Sequence, residues 1–117
     1  MKVIEELDVF LYADKLTIDI YKITENFPKN EIFGLVGQIR RAAVSICSNL
    51  AEGGSRTTAG ELKQFIGIAR GSLAELKYQI SLSKKLGFIE SNLESDLINR
   101  AIIIHKMLTG LMSYVKK

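Results

Sequence analysis

Apolar residues recur along this chain at alternating spacings of four and three, in four separate stretches. Val9, Ala13, Leu16, Ile20, Ile23 and Phe27 make the first stripe, and Ile32, Val36, Ile39, Ala43, Ile46 and Leu50 the second. Leu62, Ile66, Ala69, Leu73, Leu76 and Ile80 make the third, and Leu93, Leu97, Ala101, Ile104, Leu108, Leu111 and Val115 the fourth. That period keeps one face of an α-helix apolar, whereas a half-buried strand alternates every second residue. Helix signals fall between the stripes. Pro28-Lys29-Asn30 closes the first segment, and Asn30 is placed to cap the second. Gly53-Gly54 stops the second, and Thr58 with Glu61 three residues on forms a capping box for the third. Lys84 and Lys85 suit the negative end of that helix. Gly87 follows as a left-handed stop and Phe88 as its apolar clasp. Ser91 with Glu94 reads as a second capping box. Short connections between such segments force neighbours to run antiparallel. The predicted fold is all-α, an antiparallel up-down-up-down four-helix bundle, with residues 1–117 as a single domain.

Composition agrees with that reading and narrows the setting. The 117 residues are enough for one core, and a single proline suits long helices, whose interiors exclude it. A net charge of +3 is compatible with nucleic acid or another anionic surface without selecting either. Cys47 is the only cysteine, so an intrachain disulfide and a cysteine metal site are both ruled out, as suits a reducing cytosol. No apolar run approaches the ~20 residues that span a bilayer, and the first residues lack the apolar stretch of a signal peptide. A cytoplasmic protein without a membrane partner is expected.

Candidate chemistry is thin. A carboxylate-bridged metal site in a bundle needs Glu-x-x-His pairs, but the one histidine, His105, has Ile102 three positions before it. His105 reads as a residue flanking the seam, and Met107 and Met112 as packing residues. Cys47 sits mid-helix among Ile46, Ser48 and Leu50, where a buried, inert thiol is expected. Gly53-Gly54-Ser55-Arg56 lacks the lysine-serine ending of a phosphate loop and follows a helix, not a strand. No catalytic set emerges. The expectation is a protein without enzymatic activity, cofactor or metal.

Two surface patterns remain. Lys63, Arg70, Lys77 and Lys84 recur every seven residues on the third helix, beside a row of small residues, Gly60, Gly67, Ala74 and Ser81. This is either a solvated basic flank whose stems shield the core edge, or a ridge for phosphates beside a row that admits another helix. Gly67 and Gly71 each cost ~1 kcal/mol against alanine in a helix interior, which points to close backbone approach. On the second helix Arg40 and Arg41 precede Ser45, Asn49 and Glu52, while the third offers Arg70, Ser72 and Glu75 at the matching level. These form either a paired polar network, between helices or between subunits, or an arginine pair presented to phosphate.

The stretch from Gln38 through Arg40-Arg41, Ser45, Ser48-Asn49 and Glu52-Gly53 to Arg56 resembles a family signature. So does Ile68-Ala69-Arg70-Gly71-Ser72-Leu73-Ala74-Glu75-Leu76. Leu7-Asp8-Val9, Tyr21-Lys22-Ile23, the Phe27-Pro28 turn and Leu86-Gly87-Phe88-Ile89 fit as well, so the likeness covers nearly the whole chain. The family is that of bacterial four-helix-bundle proteins found as reading frames within intervening sequences of 23S ribosomal RNA genes. The resemblance implies a homo-oligomer, a pentameric ring, without enzymatic activity. A related branch serves diversity-generating retroelements, engaging nucleic acid and a reverse transcriptase. By that analogy Arg40, Arg41, Arg56, Lys63 and Arg70, with Lys77 and Lys84 on the same ridge, are candidates for an RNA- or DNA-facing surface. Ser45, Asn49, Glu52, Gly67, Gly71, Ser72 and Glu75 are candidates for a polar network or subunit interface. The rival reading is an adaptor oligomer that binds a protein partner, its arginines serving subunit contacts. Cys47 departs from the family, many of whose members carry proline there, and should leave the second helix straighter.

Overall fold

A computed structural model describes residues 3–115. A 3-10 turn at Ile4–Glu6 leads into α1 (Asp8–Thr24), and a second at Lys29–Glu31 precedes α2 (Leu35–Gly54). Then come α3 (Ala59–Lys85) and α4 (Ser91–Tyr114). α2 lies against α3, α3 against α4, and α1 against both α2 and α4, while the diagonal pairs stay apart. Contacts along the α1–α2 and α2–α3 seams run in opposite senses. Phe10 meets Cys47, Thr17 meets Ala43 and Thr24 meets Arg40, while Ser45 meets Ser72 and Gly53 meets Phe65. The chain is an all-α four-helix bundle in which α1, α2 and α3 run antiparallel in turn.

The stripes supply the core. Val9, Ala13, Leu16 and Ile20 of α1 face Ile39, Ala43, Ile46 and Leu50 of α2 across the same interior as Ile66, Leu73, Leu76, Ile80, Leu97, Ile104 and Leu108. Each of these is nearly or wholly buried. A second, smaller cluster closes one end. Phe27, Leu35 and Val36 pack there with Leu82 and Phe88, the two phenylalanine rings 5.2 Å apart in a tilted pair. Phe88 is delivered by the stop that the sequence predicts. Gly87 has φ 81°, the Phe88 amide donates to the Ser83 carbonyl at 2.9 Å, and the Gly87 amide to Lys84 at 3.0 Å. Those two bonds satisfy carbonyls that the helix end leaves free.

Helix starts agree less evenly. Thr58 caps α3 as expected, its Oγ1 accepting from the Glu61 amide at 3.1 Å. Asn30 does not cap α2. The chain turns first through Lys29–Glu31, and the Glu31 carboxylate accepts from the Leu35 amide at 3.1 Å in place of a cap. Ile32 therefore lies outside the helix and 47% exposed, and Leu35 takes the core position assigned to it. Ser91 is already the first residue of α4, with Glu90 before it and no side-chain cap formed. No helix among the described residues is long and apolar enough to cross a membrane.

Candidate functional site

The seven basic candidates do not share one surface. Arg40 turns back onto α1, its Nε donating to Thr24 Oγ1 at 2.9 Å and an Nη to the Tyr21 carbonyl at 3.1 Å, with its guanidinium 4.6 Å from the Tyr21 ring centre. A cation on the last carbonyls of a helix favours both the unpaired oxygens and the helix dipole. Thr24, buried beneath it, gives its own proton to the Ile20 carbonyl at 2.7 Å. Arg56 brackets the turn between α2 and α3. It pairs with Glu52 at 2.7 Å, approaches Glu61 at 3.9 Å and lies 5.0 Å from the Phe65 ring centre. Both arginines, expected on a nucleic-acid-facing surface, are held by contacts within the chain.

The ridge on α3 is different. Lys63, Arg70 and Lys77 are half-buried and Lys84 is exposed, and none is in an ion pair among the described residues. At 1.5 Å per residue they stand about 10.5 Å apart, a line of roughly 31 Å along one flank. That flank faces away from α2. Ser72 bonds to α2, and Arg70, two residues earlier, projects about 200° around the helix from it. A Cβ at Gly67, on the ridge side, would lie 3.8 Å from Met112 of α4. Arg70 therefore does not join Ser72 and Glu75 in a common network as its spacing suggested, and its buried Nε has no partner.

Between α2 and α3 the polar stripe is real and partly closed on itself. The Ser45 and Ser72 hydroxyls share a hydrogen bond of 2.8 Å, and the Asn49 amide donates to the Ser45 carbonyl and hydroxyl, each at 2.8 Å. Glu52 is not part of it, being paired with Arg56. Next to the serines an open groove of about 430 Å³ is lined by Gln38, Arg41, Ala42 and Glu75. Arg41 and Glu75 make no ion pair there among the described residues. Gln79, buried at the edge of the same seam, donates to Glu75 at 3.4 Å while its Oε1 has no partner. Gly67 and Gly71 lie outside this network; around a Cβ at Gly71 nothing stands within 4 Å.

The remaining polar groups are structural in geometry. Burial pushes the Cys47 thiol up to about 12, with the Asp14 carboxylate adding to it, and its Sγ lies 3.6 Å from the Phe10 carbonyl. A thiol so placed holds almost no thiolate at neutral pH. His105 has a buried Nδ1 without a partner. Among the described residues no three His, Cys, Asp or Glu side chains gather closely enough to hold a metal ion. The Arg40–Thr24–Tyr21 contact escaped the sequence reading. The available signal was Thr24 itself, a hydroxyl four residues after Ile20 on the buried face. Phe33, 96% exposed in the turn before α2, was also passed over.

With this geometry in place, comparisons with known proteins bear on it. The family model described as 23S rRNA-intervening sequence protein matches residues 5–110. A solved structure from Bacteroides thetaiotaomicron, a protein of unknown function from the S23 ribosomal protein family, superposes with a TM-score of 0.79 at 21% identity, covering 89% of this chain and 97% of its own. At that identity the likeness is one of fold. No curated protein matches the chain.

Proposed function

The chain belongs to the family of 23S rRNA-intervening sequence proteins, and from that premise we propose that it is a non-enzymatic, cytoplasmic homo-oligomer binding the phosphate backbone of RNA or DNA as an accessory factor. The observation that supports this is the ridge of Lys63, Arg70, Lys77 and Lys84, which carries no carboxylate partner among the described residues. Arg40, Arg56 and Arg100, by contrast, are engaged within the chain. A line of free cations over roughly 31 Å meets the repeating charge of a nucleic-acid backbone, and nothing along it reads base edges. Each phosphate neutralised releases a counterion, so four contacts give a log–log salt slope of about −3.6 per copy on duplex DNA and about −2.8 on single strands.

The test is titration of labelled structured RNA and duplex DNA at low and near-physiological salt. Lys63→Glu/Lys77→Glu/Lys84→Glu is expected to weaken binding at least tenfold and flatten the salt slope. Unchanged binding by that variant, with its helical content intact, would remove the ridge from the interface. The second reading is an adaptor oligomer for a protein partner. It draws on Arg41, which shares the α2–α3 groove with Glu75 in place of the ridge. It predicts an oligomer with no salt-dependent affinity for RNA or DNA, even at low salt.

A further inference from the structure

We infer that the outer face of the α2–α3 pair is a self-docking surface, on which a second copy of this chain seats with Arg41 of one copy reaching Glu75 of the next. This deepens the homo-oligomeric part of the reading above and rests on it. Residues three and four apart share one side of a helix, and Ile68, Gly71, Ser72, Glu75 and Tyr78 make such a row on α3. Ile68 is 44% exposed and Tyr78 62%, so the row is a helical seam without an occupant in this chain. Gly71 stands in the middle of it. Glycine weakens a helix interior, and no neighbouring atom in the chain requires it here, since a Cβ would meet nothing within 4 Å. Bare backbone at that point lets an incoming helix lie close.

Charge identifies the occupant. Arg41 is one turn before Ser45 on α2 and Glu75 about one turn after Ser72 on α3, so the Ser45–Ser72 bond places them at one level of the groove. They do not pair. The guanidinium lies back along its own helix, an Nη 3.7 Å from where a Gly37 Cβ would stand, and among the described residues Glu75 meets only the Gln79 amide. A patch that carries a free cation beside a free anion is complementary to itself, the condition for contact between identical subunits. A phosphate backbone is disfavoured on the same patch by Glu75.

The experiment measures molar mass by light scattering for the unmodified protein, Arg41→Glu, Glu75→Arg, and the double variant Arg41→Glu/Glu75→Arg. Each variant alone presents like charges across the contact and is expected to lose at least half the assembly mass. The double variant restores an unlike pair at every contact with the signs exchanged and is expected to recover it. Gly71→Gln is expected to lower assembly mass while helical content is kept or raised through helix propensity, a combination that misfolding does not produce. A monomeric unmodified protein would overturn the homo-oligomer reading and this surface together. An oligomer whose mass ignores all three substitutions would leave that reading standing and remove this surface, as would single variants that dissociate while the double variant fails to reassemble.

Discussion

The seam between α2 and α3 and the seam between α1 and α4 solve the same packing problem by different means. α2 and α3 approach closely because Ala42, Ser45 and Gly53 put little between the backbones; a Cβ at Gly53 would lie 2.8 Å from the Phe65 Cβ and 3.1 Å from a Leu62 methyl. Ser45, Asn49 and Ser72 between them are joined by short bonds among small side chains. α1 and α4 touch less extensively, and their polar link is charged. Asp19 receives Arg100 at 2.9 Å and Lys15 at 2.8 Å, while Asp96 stands 3.9 Å from the same arginine. The first seam depends on shape, which pH and salt leave alone. The second depends in part on charge, which they do not.

The contrast can be broken most forcefully at Gly53. Gly53→Val forces the two backbones apart, because the nearest atom is a Cβ fixed to its own helix and not the end of a flexible chain. Overpacking of this kind costs about 3 kcal/mol, read as a fall in denaturation midpoint at unchanged slope. An intermediate loss is expected at the α1–α2 corner. Arg40→Met removes charge-assisted bonds to Thr24 and the Tyr21 carbonyl and should cost about 2 kcal/mol, with α1 amides exchanging sooner than those of α3.

The smallest stability effect belongs to Asp19. Lys15, hydrogen-bonded to it, holds its carboxyl below the usual carboxylate range against the opposing effect of burial, and Arg100 adds to the lowering. A carboxyl lowered on folding contributes stability that is present above its unfolded value, 3.8, and disappears as pH falls through the folded value beneath it. Asp19→Asn should therefore cost up to about 1 kcal/mol at pH 7 and nothing once the acid is titrated, whereas the Gly53→Val deficit persists. Matched urea melts at pH 7 and pH 2 check both. A chemical probe sharpens the picture without changing stability. Cys47, raised to about 12, should react with iodoacetamide far more slowly than glutathione at pH 7.5.

These differences also show which features a sequence makes legible. Apolar periodicity located every helix and nearly every core residue, because burial of one face acts on each turn independently of the rest of the molecule. The stop at Gly87-Phe88 and the cap at Thr58 were equally local. Asn30 and Ser91 carried the same kind of signal and did not cap. Their fate depended on how the chain enters the helix, through the Lys29–Glu31 turn in one case and a start one residue early in the other. Long side chains were the least legible. Arg40 and Arg41 are adjacent in sequence, yet about 100° of helix rotation sends one to the end of α1 and leaves the other in an open groove. Which of two neighbouring arginines is free is a property of the packed bundle.

The closest seam joins helices that are also neighbours along the chain, with only residues 55–58 between α2 and α3. Closing so short a loop costs little chain entropy, which together with the extent of this seam favours the hairpin as the folding nucleus. Substitutions along it, Gly53→Val among them, should act mainly by slowing folding, and those at Asp19 by hastening unfolding. The small residues that draw α2 and α3 together would then decide how fast the bundle forms, and the charged pair across α1 and α4 how long it lasts.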